Sequence, residues 1–160
     1  IENYISMITL KTAHMLGLSA ELGALISGAN DKVVEKMKEY GQLLGVAFQI
    51  QDDLLESLSD SDTMGKSLKS DLVLRKKTFL FIKAYNKCPN ELNEIIDSND
   101  CNLSTIQLKY RRMLIDNGIV KETKSYINQI LDKANNILNI INGENDCLNE
   151  FVHFIKERKC

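Results

Sequence analysis

The stretch Gly45-Val46-Ala47-Phe48-Gln49-Ile50-Gln51-Asp52-Asp53-Leu54-Leu55-Glu56 reads as the last turns of a helix that ends in three acids. Asp52, Asp53 and Glu56 stand at i, i+1 and i+4, so their side chains are expected to converge, with Gln49 one turn earlier on the same side. Like charges one turn apart destabilise a helix by roughly 0.2–0.5 kcal/mol per pair. Acids near a helix C-terminus also face the unfavourable end of its dipole. A bound cation relieves both penalties. Mg²⁺ suits oxygen donors, keeps several waters and often bridges carboxylates to phosphates. The rival reading is a solvated acidic face. Phe48, Ile50, Leu54 and Leu55 argue instead for partial burial, and Gln49 and Gln51 stand where plain core packing would favour apolar residues. Phosphate chemistry is the first expectation.

Working outward, nearly the whole chain carries helical periodicity. Proline occurs once, at Pro89, and β-branched alternation is nearly absent. A first helix is expected up to about Gly28, with apolar positions at Leu10, Met15, Leu18, Leu22 and Leu25. The small residues Ala20, Gly23, Ala24 and Ser27 would let a neighbouring helix come close. Asn30-Asp31 offers turn and N-cap chemistry. A second helix follows from Asp31 to Glu56, with Val34, Met37, Gly41, Leu44, Gly45 and Phe48 as its buried stripe. A polar connection runs from Ser57 to Ser70, and Asp71 is placed to cap a third helix reaching about Lys87. Shorter helices are expected near 90–97, 103–116, 119–142 and 146–158, with Gly118 and Gly143 as stops.

The bulk numbers fit one helical domain. A 160-residue chain can bury a real core, and 44% apolar with 26% charged residues is ordinary globular composition. A net charge of −2 argues against nucleic acid as partner, since phosphate contacts demand a basic surface. No apolar run approaches the roughly 18–20 residues that span a bilayer. Cys88, Cys101, Cys147 and Cys160 lack zinc spacing and read as free thiols in a reducing, cytoplasmic compartment. The chain starts at Ile1, without Met, inside what reads as mid-helix, so it is expected to be the back part of something longer.

Asp60-x-Asp62-x-x-Gly65 hints at a calcium loop, but Met64 stands where an oxygen ligand is needed and no bidentate Glu closes the loop. His14 and His153 are isolated. Lys11, Lys66 and Lys76 gain weight only together: two of them follow the acidic helix, and a diphosphate site combines metal ligands with ammonium groups.

Phe48-Gln49-Ile50-Gln51-Asp52-Asp53-Leu54-Leu55-Glu56 resembles the second aspartate-rich motif, F-Q-x-x-D-D-x-x-D, of trans-isoprenyl diphosphate synthases. Gly65-Lys66-x-x-x-x-Asp71 and Lys76-Lys77-Thr78-Phe79 resemble the family's G-K-x-x-x-x-D and K-x-T/S elements, in order. Leu10-Lys11-Thr12 is similar to its K-T motif. These four elements cover residues 1 to about 85, and the terminal Lys156-Glu157-Arg158-Lys159 is compatible with the basic tail on which many members end. The resemblance implies an all-α isoprenoid synthase bundle and Mg²⁺-dependent condensation of an allylic diphosphate with isopentenyl diphosphate, in a homodimer. Carried over by motif, Asp52, Asp53 and Glu56 would hold magnesium, and Lys11, Lys66 and Lys76 would contact the allylic diphosphate. Thr12 and Gln49 would stabilise the developing allylic cation.

Two departures from the pattern stand out. Glu56 replaces the third Asp, which should weaken metal binding without abolishing it. The first motif, D-D-x-x-D, has no counterpart among these residues, so residues 1–160 resemble the C-terminal half of a single synthase domain and should turn over little by themselves. The alternatives are a non-catalytic regulatory subunit of a heteromeric synthase, or an unrelated helical interaction module with an acidic surface.

Overall fold

A computed structural model of the chain describes residues 1–59, 72, 74–98, 103–141 and 146–158. The elements among the described residues are all helical. They are α1 (Glu2–Ile8), a π-helical turn (Thr9–Ala13), α2 (His14–Ile26), α3 (Asp31–Leu58), α4 (Phe79–Lys87), α5 (Pro89–Ile96), α6 (Leu103–Asp116), α7 (Ile119–Ile140) and α8 (Asp146–Glu157). None of these helices is long and apolar enough to cross a membrane. Cys88 and Cys147 are free thiols, while Cys101 and Cys160 lie outside the described residues.

Local chemistry sets the boundaries. After α2 the chain reverses at Gly28, whose φ of 78° is left-handed, and the Ala29 N–H donates to the Ala24 carbonyl at 3.1 Å. Asn30 then caps α3, its Oδ1 accepting from the Val33 N–H at 3.1 Å. The expected helix from Asp71 to Lys87 is corrected: in the described residues, the helix that reaches Lys87 starts only at Phe79. Arg75 takes a left-handed φ of 49°, and Thr78 is extended at ψ 167° with its hydroxyl accepting from the Phe81 N–H. A threonine in that position offers the backbone an alternative to continuing a helix. Asp71 itself lies outside the described residues.

Two compact units divide the chain, one formed by Glu2–Gln51 with Ser125–Lys159, the other built on Asp52–Lys124. Helices α3 and α7 each contribute residues to both.

In the first unit, α2 and the π-turn lie against α3 with almost no side chain between them. A Cβ on Gly41 would run into the Leu16 carbonyl, and one on Gly45 into the backbone of Ala13. Glycine is required here by close approach. The expected small-residue contact is therefore real but sits elsewhere: Ala13 and Gly17 make it, whereas Gly23 has nothing within 4 Å. Leu10, Met15, Leu18, Leu22 and Leu25 are exposed. On α3, Met37, Gly41, Leu44 and Gly45 are buried as expected, joined by Tyr40, Ala47 and Ile50, while Val34 and Phe48 are half-buried. Helix α7 adds Ile127, Ile130, Leu131, Ala134, Ile137 and Leu138 at helical spacing, and α8 adds Val152 and Ile155. The Tyr40 hydroxyl donates to the Leu148 carbonyl at 2.6 Å, tying α3 to α8.

The second unit packs Leu54, Phe79, Leu80, Leu92, Tyr110 and Leu114 into its core. Its surface carries ion pairs from Glu122 to Lys83 and Lys87.

Candidate functional site

Lys11 and Thr12 sit on the π-turn. The His14 N–H donates to the Thr9 carbonyl, the i→i+5 bond that defines such a turn. The wider turn inserts one residue into the helical register, a device common at functional sites. Lys11 is exposed and Thr12 half-buried. The Thr12 hydroxyl donates to Gln49 Oε1 at 3.2 Å. These two residues, expected to act together, are in hydrogen-bond contact.

Around the end of α3 the structure forms a cleft lined in part by Asp53, Glu56, Ser57, Lys76, Thr78 and Tyr110. Asp53 is 9% exposed, and its Oδ2 accepts from the Phe79 N–H at 3.2 Å. The Ser57 hydroxyl turns back to the Asp53 carbonyl at 2.8 Å. Tyr110 is buried at 1% exposure, and its hydroxyl is pushed well above the usual tyrosine range, first by burial and then by the Asp53 carboxylate. Asp52 and Glu56, at i and i+4 on α3, are half-buried. The three acids do not gather as one cluster: among the described residues, no three His, Cys, Asp or Glu side chains are grouped so as to hold a metal ion by themselves. The expected convergence is corrected accordingly. Consecutive residues on a helix point about 100° apart, and Asp53 uses that difference to face α4.

The donors still suit magnesium. Two carboxylates one turn apart supply hard oxygen atoms, and Mg²⁺ characteristically takes one or two carboxylates with water and substrate phosphates completing its shell. Lys76 and Glu56 both line the cleft. Lys66 lies outside the described residues.

Several contacts were missed at the level of sequence. Tyr110 carried no motif. Thr78 belonged to a quoted element but had no role assigned. Arg158, in the terminal basic segment, stacks its guanidinium 4.8 Å from the centre of the Phe48 ring, and its carbonyl accepts from Gln51 Nε2 at 3.2 Å. That contact explains why Gln51, only 8% exposed, is polar.

The chain is all-helical among its described residues, with Asp53, Glu56 and Lys76 lining one cleft at the end of a long helix. The family model for polyprenyl synthetase matches residues 1–113, and the chain belongs to that family. It is 44% identical over 97 residues to a geranylgeranyl diphosphate synthase of Saccharolobus solfataricus, covering 61% of this chain and 29% of that one. It is 31% identical over 163 residues to a geranylfarnesyl diphosphate synthase of Aeropyrum pernix, covering 99% of this chain and 51% of the relative. A crystal structure of a geranylgeranyl pyrophosphate synthase superposes with a TM-score of 0.85 at 28% identity, over 100% of this chain and 52% of the other. The chain thus spans about half the length of that synthase and of its Aeropyrum relative, and less of the Saccharolobus one. Family membership sets aside the reading as an unrelated helical module.

Proposed function

We propose that the chain supplies the acidic and lysine half of a Mg²⁺-dependent prenyltransferase that condenses isopentenyl diphosphate with an allylic diphosphate. The observation that carries this reading is the cleft that joins Asp53, Glu56 and Lys76.

In this reading the C–O bond of the allylic diphosphate breaks and its electron pair leaves with the diphosphate. The double bond of isopentenyl diphosphate then supplies the electrons of the new C–C bond, and the released diphosphate takes up the proton that is lost. Mg²⁺ bound at Asp52 and Glu56 would neutralise the leaving diphosphate. Lys11, Lys66 and Lys76 balance the remaining phosphate charge. The oxygens of Thr12 and Gln49 face the positive charge that develops on the allyl group, an electrostatic stabilisation fixed in advance by their mutual hydrogen bond. The working enzyme is a homodimer in the reducing cytoplasm, where Cys88 and Cys147 stay as thiols.

The 160 residues contain no second Asp-Asp pair. We therefore expect negligible turnover from them alone, and turnover once a polypeptide bearing D-D-x-x-D completes the site. The test is condensation of labelled isopentenyl diphosphate with an allylic diphosphate and Mg²⁺, with and without that polypeptide. Product from neither mixture would overturn the proposal. Glu56 in the place of Asp favours one second reading, a regulatory subunit, and a Glu56→Asp change that leaves the completed enzyme inactive would support it.

A further inference from the structure

We infer that Asp53 is a positioning residue, not a metal ligand, and that it orients Lys76 by clamping the start of α4. Lys76's role in this inference rests on the diphosphate site proposed above. The first amides of a helix have no partner within it. In α4, which is nine residues long, two of them are satisfied from outside the helix: Thr78 Oγ1 accepts from Phe81, and Asp53 Oδ2 accepts from Phe79 at 3.2 Å. A carboxylate in that place also meets the positive end of the helix dipole.

Both groups of this contact are buried, Asp53 at 9% and Phe79 at 1% exposure, so water competes poorly for it. The clamp continues towards the lysine, because the Thr78 N–H donates to the Lys76 carbonyl at 2.8 Å. Two hydrogen bonds, Phe79 to Asp53 and Thr78 to Lys76, joined by the Thr78–Phe79 peptide bond, thus run from the acidic helix to the backbone of Lys76. Asp52 and Glu56 remain as the half-buried i, i+4 pair on α3, the number of carboxylates that magnesium commonly takes from a protein. One Asp-Asp pair divides its work: Asp52 with Glu56 serves the cation, and Asp53 serves the lysine.

Asp53→Asn, Asp53→Ala and Asp52→Asn in the full chain separate these roles, because an asparagine oxygen still accepts from Phe79. Two quantities are read: amide hydrogen exchange at Phe79 without ligand, and the rise in melting temperature on adding MgCl₂ with inorganic diphosphate. Asp53→Ala should speed Phe79 exchange on the order of tenfold and shrink the rise. Asp53→Asn should keep exchange slow and retain most of the rise, whereas Asp52→Asn should keep exchange slow and lose it. If Asp53→Asn loses the rise as completely as Asp52→Asn, Asp53 is a ligand and the inference is overturned. Unchanged Phe79 exchange in Asp53→Ala overturns it too. Should Asp53→Ala fail to fold, Asp53→Asn against Asp52→Asn decides. If the unaltered chain shows no rise, the diphosphate reading fails, while the exchange data still show whether Asp53 holds α4.

Discussion

The Thr12 hydroxyl reaches Gln49 Oε1 over 3.2 Å, joining residues 37 apart in sequence. The contact exists because the π-turn places Thr12 beside α3 and Gly45 lets the two backbones meet just before Gln49. The pair is half-buried and oriented by its own hydrogen bond, which is what the proposed cation-stabilising role asks of it.

Replacing Thr12 with valine keeps the shape and removes the donor. We predict a loss of about 1 kcal/mol in urea unfolding of the chain. In the completed enzyme, turnover should fall roughly tenfold or more. An unaltered rate would remove Thr12 from the cation-stabilising role, whatever the stability shows.

Two glycines in neighbouring helices should respond in opposite directions. Gly45→Ala forces a methyl group into the backbone of Ala13 and should cost about 1–3 kcal/mol. Gly23→Ala meets nothing within 4 Å and should stabilise the chain by roughly 0.5–1 kcal/mol through helix propensity. Denaturant midpoints of the two variants measure both. Equal effects would contradict the close packing at Gly45.

Asp52→Ala tests the cation directly. Ligand binding stabilises by mass action, by about 2.7 kcal/mol when the ligand is at 100 times its Kd. We expect the variant to keep its helical circular dichroism and lose the stabilisation by Mg²⁺ and diphosphate. Full retention at saturating Mg²⁺ would exclude Asp52 as a ligand.

Alkaline stability follows from two buried tyrosines. Burial pushes the Tyr40 hydroxyl from 10.0 up to about 12, and Tyr110 moves the same way. A folded pKa above the unfolded one means the stabilisation is complete below pH 10 and is lost as the pH climbs through about 12. Unfolding and phenolate absorbance should therefore rise together above pH 10. Tyr40→Phe should weaken that dependence and cost about 1 kcal/mol at neutral pH, through loss of the bond to Leu148. Ionisation of all five tyrosines with the fold intact would refute this coupling.

Much of the architecture was legible in residue order because its causes are local. The 3.6-residue period of α3 and α7, the Asn30 cap and the Gly28 reversal each depend on neighbours within a turn or two, so the boundaries of α3, α5, α6 and α7 fall close to expectation. The helix from Asp71 to Lys87 failed for the opposite reason. Its described part is stopped at Thr78 by a local cap and by a carboxylate from Asp53, and periodicity registers neither. The apolar residues of α2 share a helical period with core positions, yet Leu18, Leu22 and Leu25 are exposed, because a period names a face without saying what covers it.

By itself, the sequence determined an all-helical chain, the family through its ordered motifs, and the identities of the acids, lysines and polar partners. Residue types and spacing suffice for these, since helix formation and donor chemistry are properties of short segments. Only the tertiary structure decided which of those residues meet. The π-turn beside Gly45, the turn of Asp53 away from Asp52 towards α4, the burial of Tyr110 beside it and the stacking of Arg158 on Phe48 all depend on segments far apart in sequence. Which way an acid points, and what neutralises it, is set by the surface packed against it.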